Sequence, residues 1–337
     1  MRHVLTTTAV ILLTSLPGRA WSTDNFYSSN DVTLVVAADV GGGYDTYARA
    51  LAPLLKRHIV GHPNVIVQNM AGAGGIRMAN YLAVNTKIDG SVIGLTLSPV
   101  VLNQLTRPGQ VRYDAREFFW LGTIDTQTNV LSVATRKTTV RSIGDAKKLT
   151  VTIGATNPNS FLYQEPALMN ALLATKFKIV GGYKGVRDLN LALERGEIEG
   201  QVSPWSTWKS EHPDWLKSGK IVNIIATGAR ADDLHDVPQF ADLVKDARDK
   251  SLVGLLDASS ILGRSIAAPR GTPAERVRIL RNAMAAAVND PEFLAEMAKR
   301  RLPVQFRTGE QLQAFVNRAL KTPPETVKTF LQIVGTK

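Results

Sequence analysis

Cysteine is absent from all 337 residues, which excludes a disulfide framework, a thiolate metal site and a cysteine nucleophile. Stability must therefore come from packing. Long apolar runs are also scarce. The one such run, Val4 to Leu16, is short and rich in threonine, well below the ~20 apolar residues of a membrane span. It follows Arg2 and His3, and it ends at Pro17-Gly18 with the small residues Gly18 and Ala20 three and one places before Trp21. That is the pattern of an export signal over residues 1–20. No cysteine follows the run to carry a lipid, so the expected product is a soluble exported chain of about 317 residues, long enough for two domains.

Acidic residues are the minority charge, 29 against 40 Lys and Arg. A nucleic-acid partner would want those cations gathered on one face or in one run. They are scattered: the densest groups, Lys147-Lys148 and Lys299-Arg300-Arg301, are short and sit in helical patterns. The excess reads as a solvated surface whose field attracts small anions, not as a nucleic-acid interface.

Catalytic and metal signatures are missing too. There is no HExxH and no GxSxG elbow, and His58, His62, His212 and His235 have no ligand-like spacing. A triad assembled only by folding stays open at this stage. No cofactor is called for.

What is present is an alternation of compact apolar runs and amphipathic stretches, the pattern of α/β layers. Strands are expected at Val32 to Ala37, Val65 to Gln68, Val92 to Leu97, Asn129 to Ala134, Val151 to Gly154, Lys178 to Val180 and Ile221 to Ala226. A first helix should open with Asp45 as its N-cap, bury Tyr47, Leu51, Leu54 and Leu55, and bend at Pro53. Ile76 to Val84 should be a second. Val277, Leu280, Met284 and Val288 mark a helix that stops before Asp290-Pro291, and Thr308 to Gln311 reads as a capping box. With no linker or repeat to divide the chain, the domains should be interwoven. Crossovers are expected within Phe119 to Val133 and near Leu252 to Ile266, giving one lobe from 31–126 with 264–337 and a second from 127–263, joined by a hinge.

Two glycine turns carry the functional signal. Gly41-Gly42-Gly43-Tyr44-Asp45 and Ala71-Gly72-Ala73-Gly74-Gly75 each follow a strand and precede a helix, where bare backbone N–H groups and the helix dipole favour an anion. A dinucleotide site would want glycine at position 46 and an acid closing the next strand; the chain has Thr46, Gln68 and Asn69. No Gly-Lys-Ser/Thr follows, so the Walker pattern fails as well. In an open α/β sheet both turns, with Ser98-Pro99 after the third strand, would face one crevice. The plainer alternative is that the glycines only allow tight corners.

These pieces resemble the substrate-binding receptors of tripartite tricarboxylate transporters, also called Bug-type periplasmic receptors. The resemblance rests on Val40 to Asp45 with Ala48-Arg49, on Asn69 to Gly75, on Asp89-Gly90 and on Tyr183-Lys184-Gly185. Gly196 to Gly200 and Ala268-Pro269-Arg270-Gly271-Thr272-Pro273 complete it. It implies a type II periplasmic-binding-protein fold whose two α/β lobes close on a small organic carboxylate without chemistry, for delivery to a membrane permease. It implies ligand contacts at Gly42, Gly43, Tyr44, Asp45, Ala73, Gly74 and Ser98 in the first lobe. In the second lobe it implies Asn157, Asn159, Ser160, Tyr183 and Ser203, and Trp205 stands beside them. Asp45 is equally readable as a helix cap, and Tyr183 and Trp205 as packing residues. The chain departs from the family at Tyr44, at the glycine-poor loop Thr156 to Phe161 and at Gln201 to Trp205. These departures add aromatic surface and lead us to expect a carboxylate with an apolar or aromatic body. Two other readings remain: a nucleotide-dependent enzyme of doubly wound fold, and a receptor reporting to a membrane kinase. A receptor of this kind has no need to be more than a monomer.

Overall fold

The computed structural model describes residues 25–335; the expected signal at 1–20 lies outside them. Two sheets organise the chain. The first is built from β1 (Val32–Val36), β2 (Val65–Asn69), β3 (Val92–Leu95), β4 (Phe119–Thr123), β10 (Ser265–Ala268) and β11 (Arg307–Thr308), in the order β11-β4-β10-β3-β1-β2. The second is built from β5 (Thr128–Ala134), β6 (Val151–Gly154), β7 (Phe177–Val180), β8 (Gly200–Pro204) and β9 (Ile221–Gly228), in the order β7-β6-β8-β5-β9. Within each, the strands feeding helices run parallel: β1 with β2 and β3, β6 with β7 and β8. The strands returning from the other lobe, β10 and β5, pair antiparallel. This is the expected two-lobed α/β architecture.

Apolar periodicity explains the coverage. On one face of the first sheet lie α1 (Gly43–His58), α11 (Ala274–Val288) and α12 (Pro291–Lys299), burying Tyr47, Leu51, Leu55, Leu280 and Met284 against β1, β3 and β10. On the other lie α2 (Ile76–Val84), α3 (Val100–Thr106) and α13 (Gly309–Ala319), burying Met78, Leu82, Val101, Leu312 and Trp120. The second sheet is packed by α4 (Ile143–Ala146), α5 (Phe161–Leu173), α6 (Val186–Arg195), α7 (Trp205–Glu211), α8 (Pro213–Lys217) and α9 (Phe240–Leu243) around one apolar core. The α2 bounds agree with expectation, and the Thr308–Gln311 capping box is present in full, Thr308 Oγ1 accepting from Gln311 N–H and Gln311 Oε1 from Thr308 N–H.

Four strands escape the sequence pattern. β4 and β10 are central, so both faces are buried and alternation is lost. β8 carries the buried polar residues Gln201 and Ser203, and β11 has two residues.

The chain passes between lobes more often than expected. The first passage is Ile124 to Gln127, between β4 and β5. The second is α10 (Ala247–Leu262), which gives Leu252, Val253, Leu255 and Leu256 to the second core and Leu262 to the first. The third corrects the expectation that 264–337 stays with the first lobe. After Pro323, α14 (Pro324–Val334) crosses back and buries Phe330 and Val334 in the second lobe's core, beside α5 and α10. The physical reason is its apolar stripe, Val327, Phe330 and Val334, which can only be hidden there.

Candidate functional site

The first glycine turn is held by its own helix. Asp45 is not the N-cap: α1 begins at Gly43, and Gly42 occupies the cap with no side chain to offer. The glycines let the helix start three residues earlier than expected, which places Asp45 inside the first turn. Its carboxylate accepts from the Gly41 N–H at 2.9 Å, from Arg49 Nε at 2.9 Å and from Asn69 Nδ2 at 3.0 Å. These bonds, Arg49 first, hold its pKa down at about 2. Asp45 is buried and fully engaged, so it fixes the turn and the end of β2 to one another.

Tyr44 ties the same turn to the hinge. Its hydroxyl donates to the Gly263 carbonyl at 3.0 Å and accepts from the Ser98 N–H at 3.2 Å. Arg264 lies beneath, 5.2 Å from the Tyr44 ring and 4.4 Å from the Tyr47 ring, with Nη1 2.7 Å from Asp125 Oδ2. Asp125 and Arg264 belong to different passages between the lobes, and their backbones also pair, Arg264 N–H to Asp125 O and Ile124 N–H to Arg264 O. Contact is so close that a Cβ on Gly263 would stand 2.0 Å from the Asp125 carbonyl oxygen. Burial pushes the Asp125 carboxyl up to about 7 even against the pull of Arg264.

The second glycine turn and the loop after β6 meet across the cleft. Ala73, Gly74 and Gly75 all have positive φ (50°, 62° and 90°), and Asn103 Nδ2 holds the Gly74 carbonyl at 3.0 Å. Opposite them, Asn157 accepts from the Asn159 N–H, and Ser160 caps α5 by accepting from the Leu162 N–H. Ser160 N–H is taken by Asn157 O and Tyr163 N–H by Ser160 O. The Phe161 N–H, first in the helix, has no acceptor among the described residues. An open donor at a helix N-terminus favours an anion.

Two adjoining cavities fill the space between the lobes. The smaller, about 140 Å³, is lined by Ser98, Pro99 and Leu102 from the first lobe, Gln127 from the first passage, Asn129, Asn159, Ser160, Phe161, Gln164 and Glu165 from the second lobe, and Leu256, Ser259 and Ser260 from α10. The larger, about 730 Å³, adds Ala73, Gly74, Asn103, Arg107, Asn157, Phe330 and Leu331. Of the residues expected at the site, Ala73, Gly74, Ser98, Asn157, Asn159 and Ser160 come together here. The rest do not line either cavity. Gly42 and Gly43 are exposed at the α1 terminus, Tyr44 and Asp45 support the turn, and Tyr183 is half-buried against the second core. Ser203 is fully buried within β8, and Trp205 is buried with its indole N–H on Asp233 at 2.8 Å.

Sequence reading missed Gln127, Asn129, Gln164, Glu165, Ser259 and Ser260. Glu165 is wholly buried and accepts from Asn129 Nδ2 at 2.6 Å and Thr227 Oγ1 at 2.7 Å. Burial raises its pKa to about 8, so the carboxyl holds its proton at neutral pH. Asp257, which accepts from the Gly228 N–H, is raised by burial to about 6. These residues carry no local motif, and only the hinge and the first turn of α5 bring them together. Among the described residues no group of three or more His, Asp or Glu could hold a metal, and no helix is long and apolar enough to cross a membrane.

No family model matches the chain. It is 27% identical over 297 residues to a UPF0065 protein of Agrobacterium vitis, covering 86% of this chain and 80% of that protein. Its fold is similar to that of a TctC solute-binding protein from Polaromonas, with TM-score 0.68 and 20% identity over 92% of this chain and all of the other. It is likewise similar to an R. palustris protein solved with adipate, with TM-score 0.61 and 22% identity over 91% of this chain and 98% of that one. The chain thus has the two-lobed fold of TctC-type solute-binding proteins, as the resemblance in its sequence motifs implies.

Proposed function

We propose that this protein is an exported solute-binding receptor that captures a small organic carboxylate between its lobes, performs no chemistry on it, and hands it to a membrane permease of the tripartite tricarboxylate type. The observation that carries the reading is the open N–H of Phe161, a residue that lines the smaller cavity at the start of α5, beside the larger cavity walled by the second glycine turn. The carboxylate sits at that helix terminus. The solved relative with adipate supports the ligand class.

Affinity must come from several contacts. A helix terminus supplies only about 0.3–1 kcal/mol when exposed and up to ~2 when partly buried, whereas micromolar binding needs about 8 kcal/mol. Leu102, Phe161 and Leu256 offer apolar wall for the ligand body. They take the place of Tyr44 and Trp205 in supporting a ligand with an apolar or aromatic portion. Closure of the lobes, 31–126 with residues returning after 264 against 127–263 with α14, expels water and presents a changed surface to the permease.

A thermal-shift screen of the mature protein against aliphatic di- and tricarboxylates, amino acids and aromatic acids tests the reading, with NAD, ATP and FMN as controls. Ligand at about 100 times its Kd stabilises the fold by ~2.7 kcal/mol, a shift of a few degrees for a chain this long. A shift with one carboxylate class is the expected result. A shift with nucleotides alone would replace the receptor by an enzyme.

A further inference from the structure

The smaller cavity is an unusual receptacle for an anion alone. No lysine or arginine is among the residues that line it. One of the lining residues is a carboxylic acid, Glu165, at 2% exposure, and a second acid, the half-buried Asp257 on α10, acts electrostatically upon it. Among the uncharged residues beside them, Gln164 presents an acceptor and Ser259 and Ser260 present hydroxyls that can accept. Gln164, at 6% exposure, donates Nε2 to the Pro158 carbonyl at 3.1 Å, which fixes its amide and leaves Oε1 with no protein donor while the residue lines both cavities. Ser260, also at 6% exposure, lines the smaller cavity with a hydroxyl engaged by no protein group among the described residues, and the Ser259 hydroxyl is buried without a partner. Of these three atoms the Ser259 hydroxyl is the enclosed one, whereas the Gln164 Oε1 and the Ser260 hydroxyl open onto the cavity, where a ligand donor can replace water.

The two kinds of group are arranged along one helix. The open Phe161 N–H stands at the start of α5, and Gln164 and Glu165 follow one turn later, roughly 5 Å along the axis at 1.5 Å per residue. Donor end and acceptor end are thus a short spacer apart. We infer, on the reading that this cleft binds a carboxylate, that its ligand also carries an ammonium group, received by Gln164 Oε1 and the Glu165 carboxyl while the carboxylate takes the α5 terminus. The substrate class is then an amino carboxylate, and a plain dicarboxylate or tricarboxylate is the poorer fit.

The charge state follows from the same geometry. Asn129 and Thr227 hold Glu165 but bring no positive charge, and Asp257 is the charged neighbour, of like sign. With no cation beside it, Glu165 keeps its proton. An arriving ammonium favours the carboxylate, so the proton leaves to the buffer as the ligand binds.

Titration calorimetry on the mature protein at pH 7, in two buffers of different ionisation enthalpy, tests this directly. Matched acids with and without an amino group serve as ligands: succinate and aspartate, glutarate and glutamate, hexanoate and 6-aminohexanoate. The expected result is at least tenfold tighter binding for the amino member of one pair, with release of up to one proton. Glu165→Gln should abolish the release and most of the preference, and Gln164→Leu should weaken the preference with the release retained. Equal affinity within every binding pair, or tighter binding of the amino-free acid, would overturn the inference while leaving the receptor reading intact. So would an amino preference with no proton release. Binding of none of the acids tried here or in the thermal screen would overturn the receptor reading itself.

Discussion

Burying a carboxyl group without a cation raises its pKa, and the consequence for stability has a definite sign. Glu165 binds its proton more tightly folded, near 8, than unfolded, near 4.5. The folded state is therefore favoured below the lower value, and this contribution is lost as pH rises between the two, at up to about 1.4 kcal/mol per pH unit. Glu165→Gln, which cannot ionise, should flatten the decline of the melting temperature between pH 5 and 8; an unchanged pH profile would contradict the assignment. Arg264 is the opposite case, a cation whose removal strands an acid. Arg264→Leu should cost about 3 kcal/mol at pH 8 and less at pH 6, where Asp125 can take a proton, as read from denaturation midpoints. None of this was legible in the sequence. Glu165 stands in an ordinary helical stretch, Asp125 and Arg264 are 139 residues apart, and a pKa depends on neighbours that only folding supplies. Asp45 could be identified as important from its place after the glycines, but its bonds to Arg49 and Asn69 could not.

Elements were easier to foresee than partners. Helices with a strong apolar stripe and a marked end, such as α2 and α13, lie where the residues place them, because capping and periodicity are local. Thr308→Ala should cost about 1 kcal/mol in a urea titration, since it removes one half of a capping box that is fully formed. β4 and β10 escaped because they are not compact aliphatic runs: β10 reads Ser-Ile-Ala-Ala and β4 ends on Gly122-Thr123, whereas β3, buried on both faces as well, is announced by Val92-Ile93. The two glycine turns were correctly placed between strand and helix, yet they play different parts. Gly74 lines the cleft, whereas Gly42 and Gly43 let α1 begin early enough for Asp45 to secure Gly41. Gly263→Ala, at a turn no motif announced, should be among the most damaging single changes, because its methyl would meet the Asp125 carbonyl where the two passages touch. Full retention of the melting temperature would show that the passages can separate.

At the scale of the whole molecule, the lobes are held by three passages where two were expected. The third is the more instructive, since α14 sends Phe330 into the second core and Leu331 to the wall of the cleft. Its stripe at Val327, Phe330 and Val334 was readable; its destination was not, because an apolar face does not say which lobe will cover it. Ending the chain after Pro323 should lower the stability of the second lobe more than the first and separate their transitions in calorimetry. The cleft has the same history. Its walls come from residues near 74, 98, 127, 160 and 260, and the sequence motifs reach only some of them.

The most direct test of the account is the affinity of the carboxylate found in the thermal screen for two variants at the start of α5. Phe161→Pro deletes the open N–H and little else of the helix, since proline suits the first helical position and Ser160 before it is already extended, at φ −98° and ψ 144°. Phe161→Leu keeps the N–H and loses the ring. Titration calorimetry should find binding weakened tenfold or more by proline and far less by leucine. Equal affinity for the proline variant and the native protein would contradict it, because the carboxylate would then be held somewhere other than the terminus of α5.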